Sequence, residues 1–157
     1  MRHFHPLCRA SAMLIALAMT SAPALAEVKV QDAWVRGMVP GQDTTGAYMK
    51  LQSTSNAVVV AARSPAAKSV ELHSMSMEGG VMKMRGMPRL ELKPGQPVEL
   101  SPSGMHLMML GVAHPLHAGE RVPITLSIED AKGQRSEVEV SATVRPINAS
   151  EHGGHQH

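Results

Sequence analysis

The sequence predicts an all-β protein, a sandwich or barrel, and two observations support this prediction. Short runs of apolar and β-branched residues recur between clusters of Gly, Pro, Asn, Asp and Ser, at the spacing typical of sandwiches and barrels. No segment has the apolar period of a long amphipathic helix. We therefore expect a single domain built from strands and turns.

The first segment, residues 1–26, has the features of a secretory signal. Arg2 and Arg9 give it a basic start, residues 12–18 form a short apolar run, and Ala24-Leu25-Ala26 is an A-x-A cleavage pattern. The apolar run is too short to span a bilayer. We therefore predict cleavage after Ala26 and a periplasmic location.

Removal of this signal changes the composition in two ways. The formal charge of +2 disappears, because the loss of Arg2 and Arg9 leaves 13 of the 15 basic residues against 13 acidic ones. A neutral chain without a cluster of Lys and Arg argues against a nucleic-acid partner. The single cysteine, Cys8, is also lost, and it precedes the apolar run, whereas a lipid-modified cysteine would follow it. We expect neither disulfides nor a membrane anchor.

Nine strands are predicted after residue 26, separated by turns such as Pro40-Gly41 and Lys132-Gly133. Apolar and polar residues alternate most clearly in the last two runs, so each of these strands has one buried and one solvated face. The predicted strands are residues 28–35, 46–53, 57–63, 69–75, 81–85, 97–100, 105–112, 122–129 and 136–144.

The strand pattern stops after Pro146, and the remaining residues 147–157 are polar and rich in histidine. The predicted organisation is therefore a signal peptide (1–26), a β-sandwich domain (27–146) and a flexible tail (147–157).

Methionine and histidine are unusually frequent, with 13 Met and 9 His against one Trp, one Tyr and one Phe. Many of the methionines fall in two clusters, and each cluster includes a histidine. The first contains His73, Met75, Met77, Met82, Met84 and Met87, and the second contains Met105, His106, Met108 and Met109.

Strand geometry makes the spacing within these clusters informative. Side chains two residues apart share a face of a strand and start about 6.6 Å from each other. This relation holds for His106 and Met108 and for His73 and Met75, while Met84 can approach His73 across a hairpin. We therefore predict a site made by His73, Met84, His106 and Met108.

Two imidazoles and two thioethers favour Cu(I). Thioether sulfur is soft and needs no deprotonation, which suits Cu(I) well and Zn, Mg or Ca poorly. A blue-copper electron-transfer centre is not expected, because its thiolate ligand is missing. Residue types and spacing also allow a second interpretation, in which the methionines fill the core, as we expect for Met49 and Met109, and the histidines are structural.

The four residues fit the pattern H-x10-M-x21-H-x-M in all three spacings, and through it the chain resembles the periplasmic copper chaperone family PCu(A)C. The resemblance covers about residues 28–144. Flanking segments also resemble the family, namely Asp32-Ala33-Trp34-Val35-Arg36, Gly46-Ala47-Tyr48-Met49, Val70-Glu71-Leu72-His73, Gly80-Val81-Met82-Lys83-Met84-Arg85 and Pro115-Leu116-His117-Ala118-Gly119-Glu120.

The resemblance implies a cupredoxin-like Greek-key β-sandwich or barrel that carries Cu(I) on His73, Met84, His106 and Met108. It also implies delivery of copper to the CuA centre in the copper-bearing subunit of cytochrome c oxidase, alongside Sco-type proteins. Met75 is a possible secondary ligand. The tail residues His152, His155 and His157 either bind Cu(II) or belong to an inert polar tail.

Two other functions remain open on the sequence. A periplasmic copper buffer or resistance protein would use the same ligands as a chaperone, and a metal-free β-sandwich interaction module would use the methionines for packing. An enzyme is not expected, because no cysteine nucleophile remains after the signal and no Ser, His and acid grouping lies at a recognisable motif.

Overall fold

The computed structural model describes residues 26–148, and this part of the chain contains strands and turns but no helix. Consequently none of its segments is a helix long and apolar enough to cross a membrane. Cys8, the rest of the predicted signal before Ala26, and the tail residues His152, His155 and His157 lie outside the described residues.

Ten strands form the domain. They are β1 (Val28–Arg36), β2 (Thr44–Ser53), β3 (Ala57–Arg63), β4 (Ser69–Glu78), β5 (Val81–Gly86), β6 (Leu90–Leu92), β7 (Val98–Leu100), β8 (Met105–Leu110), β9 (Arg121–Asp130) and β10 (Arg135–Arg145).

The strands pair in the order β5-β4-β8-β2-β1-β10-β9-β3-β6, and β7 pairs with β2. A further pairing, Ala62 opposite Val70, joins β3 to β4 and closes the sheet on itself. Named strand pairs are antiparallel except β1 beside β10, which is parallel. The result is the predicted all-β barrel, with β5 attached to the outside of the ring through β4.

The interior of the barrel is filled by the alternating apolar residues that the sequence indicated. Val122, Ile124, Leu126 and Ile128 of β9 are each no more than 2% exposed. Thr125, on the face expected to be solvated, is also buried. The stability of this domain therefore depends on aliphatic packing, with each fully buried Leu or Ile contributing about 1.5–3 kcal/mol.

A β-bulge in β1 determines which residues reach the outer face of the barrel. The register with β2 shifts between Gln31 and Trp34, and Asp32 has a positive φ of 52°. Before the bulge an even-numbered residue, Val30, packs against the core. After the bulge an odd-numbered residue, Val35, is fully buried, so the inward-facing positions have shifted by one residue. The bulge thus turns Trp34 outward, toward the face that carries the histidines.

The sequence predicted nine of the ten strands. It missed β6, which has only three residues, although Leu90 and Leu92 are both buried in the core. It also ended the fourth strand too early, because β4 continues three residues beyond Met75 to Glu78. These extra residues complete the hairpin with β5.

Candidate metal centre

Strands β4 and β8 place His73 and His106 directly opposite each other. Their ring centroids are 5.9 Å apart and the rings meet edge to face, at 74°. The adjacent pair in the same register, Leu72 and Leu107, packs into the core. Because side chains alternate along a strand, both histidines lie on the outer face of the barrel.

Strand β5 adds Met84 to this pair. A tight turn at Gly79 and Gly80, both with positive φ, returns the chain so that Met84 pairs with Met75. The Met84 side chain extends diagonally to His73, and its Sδ lies 3.1 Å from His73 Nδ1. The hairpin therefore brings together two residues that the motif separates by ten positions.

Met108 reaches the same place from β8, two residues after His106. It is opposite Glu71 on β4 and opposite Gly46 on β2. A surface cavity of about 420 Å³ is lined by Met84, His106 and Met108, together with Met75. His73 does not line this cavity but contacts Met84 and faces His106, so the structure brings all four predicted ligands to one patch, and Met75 lines the cavity beside them.

The hydrogen bonds of the two imidazoles determine which nitrogen of each ring is available. His73 Nε2 lies 3.0 Å from Glu71 Oε2 and donates to that carboxylate, so the Nδ1 lone pair is directed toward Met84. His106 Nδ1 lies 3.2 Å from the carbonyl oxygen of Gly104 and donates to it, so Nε2 carries the lone pair. Each histidine can therefore offer one lone pair to a metal while neutral.

Burial further favours the neutral form of His106. The residue is only 4% exposed, and burial lowers its pKa from the usual 6.5. The hydrogen bond to Gly104 raises the pKa, and the charges of His73 and Arg36 lower it further. An imidazole in this environment is unprotonated at neutral pH, as metal binding requires.

A row of rings connects the site to β1 and β2. Trp34 and Tyr48 have centroids 4.4 Å apart, and Tyr48 lies 6.4 Å from His106. Arg145 lies over Trp34, and Arg36 lies over Tyr48 with its centre 5.6 Å from the ring centroid. Tyr48 therefore lies beside His106 and, together with Trp34, borders the site on the side of β1 and β2.

Arg36 introduces a positive charge beside the cavity. Its Nε is buried and has no hydrogen-bond partner among residues 26–148. Burial raises the pKa of Tyr48, and the Arg36 charge partly opposes this increase. The phenol therefore stays neutral at ordinary pH, leaving Glu71 as the anion in contact with a site histidine.

Within residues 26–148, no group of three or more His, Cys, Asp or Glu side chains is placed to hold a metal ion. The patch instead offers the thioethers of Met84 and Met108 beside its two imidazoles. Two imidazole nitrogens and two thioethers form a soft, neutral set that suits Cu(I).

Several other methionine and histidine residues lie in the core or in an exposed loop, away from the patch. Met49 and Met109 are core residues, at 2% and 0% exposure, as expected. His114 and His117 are exposed residues of the loop between β8 and β9. Sequence patterns assigned no role to Glu71, Arg36, Trp34 or Tyr48, although Trp34 and Tyr48 are the only Trp, Tyr or Phe residues after residue 26.

Comparisons with known proteins identify relatives of this chain. The model of the family described as "Putative lipoprotein LpqE-like" matches residues 28–144. A curated relative, "Putative lipoprotein Lxx21020" of Leifsonia xyli, is 32% identical over 104 residues, which cover 66% of this chain and 63% of that protein. The matched region thus spans less than two thirds of the length of that relative.

Solved structures share the fold. The Cu(I)-bound DR1885 protein of Deinococcus radiodurans is 32% identical, with 85% of each chain covered and a TM-score of 0.60. The copper-bound PCuAC domain of PmoF2 is 21% identical, covers 76% of this chain and 92% of that chain, and has a TM-score of 0.61. The predicted cupredoxin-like β fold is therefore confirmed.

Proposed function

The chain belongs to the LpqE-like family, and on this basis we propose that it is an exported copper chaperone that binds Cu(I) through His73, Met84, His106 and Met108. The observation that carries the proposal is the contact between His73 Nδ1 and Met84 Sδ at 3.1 Å, beside the opposed ring of His106. The Cu(I)-bound DR1885 structure, at 32% identity, supports the choice of metal.

The charges around the site suit a monovalent ion. The four proposed ligands are neutral, so the ion keeps its positive charge. Glu71, in contact with His73, supplies a nearby carboxylate. A divalent ion would leave more charge uncompensated beside the Arg36 guanidinium, whose Nε has no hydrogen-bond partner among the described residues.

The exposure of the ligands supports transfer of the ion to another protein. His106 is 4% exposed, whereas Met84 is 47% exposed on the outermost strand. An acceptor can therefore reach the copper from the Met84 side and replace thioethers before imidazoles. In the proposed role copper is cargo, and no catalytic step is involved.

We further propose that the acceptor is the copper-bearing subunit of cytochrome c oxidase, at its CuA centre, and that Sco-type thiol proteins act with the chaperone. Export to the periplasm after cleavage at Ala26 would place the protein where that centre is assembled. The lipoprotein descriptions of the family and of the Leifsonia xyli relative support export.

Deletion of the gene tests the delivery role. We expect lower CuA content in the oxidase at limiting copper, with restoration by the wild-type gene but not by a His106→Ala variant. A copper buffer would instead give normal CuA content together with sensitivity to excess copper, and that result would contradict delivery. Western blotting of the variant in the periplasmic fraction controls for its abundance.

A further inference from the structure

The β4–β5 hairpin has two chemically different faces. Its cross-strand pairs include Met75 with Met84 and Met77 with Met82, and directly opposed residues share a face. The same face continues to His73, two residues before Met75. Four thioethers in two successive pairs therefore lead from the candidate metal centre to the turn of the hairpin.

The opposite face of the hairpin is charged. Glu78 forms ion pairs with Lys83, at 3.2 Å, and with Arg85, at 2.8 Å. Exposed ion pairs of this kind contribute only about 0.2–1 kcal/mol each. These ion pairs nevertheless join β4 to β5 across the turn, and they therefore favour the strand register that aligns the methionine pairs.

Packing does not account for the exposed thioethers. Met77 is 64% exposed, Met82 is 45% exposed, and every residue of β5 is exposed. Exposed strand positions are commonly occupied by Thr, Val or aromatic residues, which have higher β propensity than Met. The side chains of Met77 and Met82 thus lie outside the core, where their sulfur atoms are accessible to a metal.

We propose that Met77 and Met82 form a second Cu(I) position near the turn of the hairpin, connected to the main site through Met75 and Met84. Side chains of an opposed pair start about 4.5–5.5 Å apart, so both sulfur atoms can bind one ion. The next pair along the strands is about 6.6 Å away, a distance that the flexible methionine side chains can span.

Movement of copper along the hairpin requires only ligand exchange. A sulfur of the next pair binds the ion as a sulfur of the previous pair leaves, and copper remains Cu(I) throughout. Thioethers carry no proton, so none is released or taken up. The inference depends on the proposed function only for the identity of the ion, and it makes the hairpin turn the point of copper uptake or release.

Residue-specific NMR tests the second position. The full chain, labelled with ¹³C at the methionine methyl groups, is titrated anaerobically with the Cu(I)–acetonitrile complex. We expect the first equivalent to shift the methyl signals of Met84 and Met108, and the second to shift those of Met77 and Met82. The signals report individual methionines, so copper bound by the histidine-rich tail is distinguished from copper on the hairpin.

Variants separate this inference from the proposed function. In a double Met77→Leu, Met82→Leu variant, the second event should disappear while the affinity of the first changes by less than about twofold. Met87→Leu, which removes a methionine just beyond the hairpin, should keep both events. In His73→Ala the Met77 and Met82 signals should still shift.

The inference fails if the Met77 and Met82 signals do not move at two equivalents, or if the double variant still takes up a second ion on the hairpin. The proposed function fails separately, if the wild-type signals of Met84 and Met108 do not respond to the first equivalent. Methyl signals of buried Met49 and Met109 serve as internal references in every titration.

Discussion

Glu71 Oε2 lies 3.0 Å from His73 Nε2, on the side of the imidazole that faces away from Met84. The two residues are two positions apart on β4 and therefore share its outer face. The carboxylate accepts a hydrogen bond from the Nε2–H group, which leaves the Nδ1 lone pair for a metal. Glu71 is thus a positioning residue for His73, and it also places a negative charge near the ion.

Glu71→Gln should weaken Cu(I) binding. The amide can still occupy the space, but it lacks the charge and holds the imidazole less strongly. Removing such a supporting carboxylate typically costs 10–100-fold in metal affinity, and we expect about 10-fold here because Glu71 is half exposed. A competition titration against a Cu(I) chelator measures the change. Glu91→Gln, an exposed carboxylate on β6, should have no effect, and equal losses in both variants would contradict the role of Glu71.

The stability of the apo protein should decrease as the pH falls through 6.5. Burial lowers the pKa of His106 below that usual value, so the unfolded chain binds a proton that the folded chain resists. The full unfolding free energy is therefore present above pH 6.5. Part of it is lost progressively as the pH falls from 6.5 toward the lower pKa of His106 in the folded state. Urea denaturation at pH values from about 7.5 to 5.5 measures this loss, because the range spans the pKa of histidine in the unfolded chain. His106→Gln should reduce the pH dependence, and an unchanged slope would show that another group is responsible.

The methionines should separate into two classes by mutation. Met109→Ala removes a fully buried side chain and should cost about 2–5 kcal/mol of unfolding free energy, with little change in the Cu(I) affinity of the folded fraction. Met84→Ala should change the unfolding free energy by no more than about 0.5 kcal/mol but should clearly lower the Cu(I) affinity. Denaturation and chelator competition on both variants measure this. A loss of Cu(I) affinity in Met109→Ala alone would contradict the assignment.

Gly46 provides space for the aromatic ring that supports the site. A Cβ at this position would lie 2.7 Å from Cζ of Tyr48, closer than real contacts allow. Gly46→Ala should therefore displace Tyr48 and cost about 1–3 kcal/mol in stability. Gly86→Ala is the matched control, because its Cβ would meet only His73 Cδ2, at an ordinary 4.0 Å. Equal stability of the two variants in denaturant would show that Tyr48 relocates without cost.

The sequence predicted the strands well where alternation was long and bounded by turn residues. For Val122 to Ile128 the buried face followed directly from the period of two. Strand β6 was missed because three residues are too short to establish any period. The bulge at Asp32 was also not foreseen, since positive φ at a residue other than glycine leaves no clear signal in one sequence.

Motif spacing indicated His73, Met84, His106 and Met108, and the barrel brings all four together. Spacing could not identify Glu71, Arg36 or Tyr48 as their neighbours, because those contacts depend on the order of β1, β2, β8 and β4 in the sheet. That order depends on pairing between segments distant in sequence, such as Ala47 with Leu107.

The central claim is that these four side chains bind one Cu(I) ion together, and an anaerobic titration against a competing chelator tests it most directly. We predict that the wild-type protein withdraws a first equivalent that binds to these four residues, ahead of any copper on the hairpin. Each single alanine variant of the four should bind this first equivalent at least about tenfold more weakly, equivalent to about 1.4 kcal/mol, and Met87→Leu should match the wild type. X-ray absorption of the complex should give two nitrogen and two sulfur ligands. Binding that survives His73→Ala and Met108→Ala unchanged, or a first shell without sulfur, would contradict the claim.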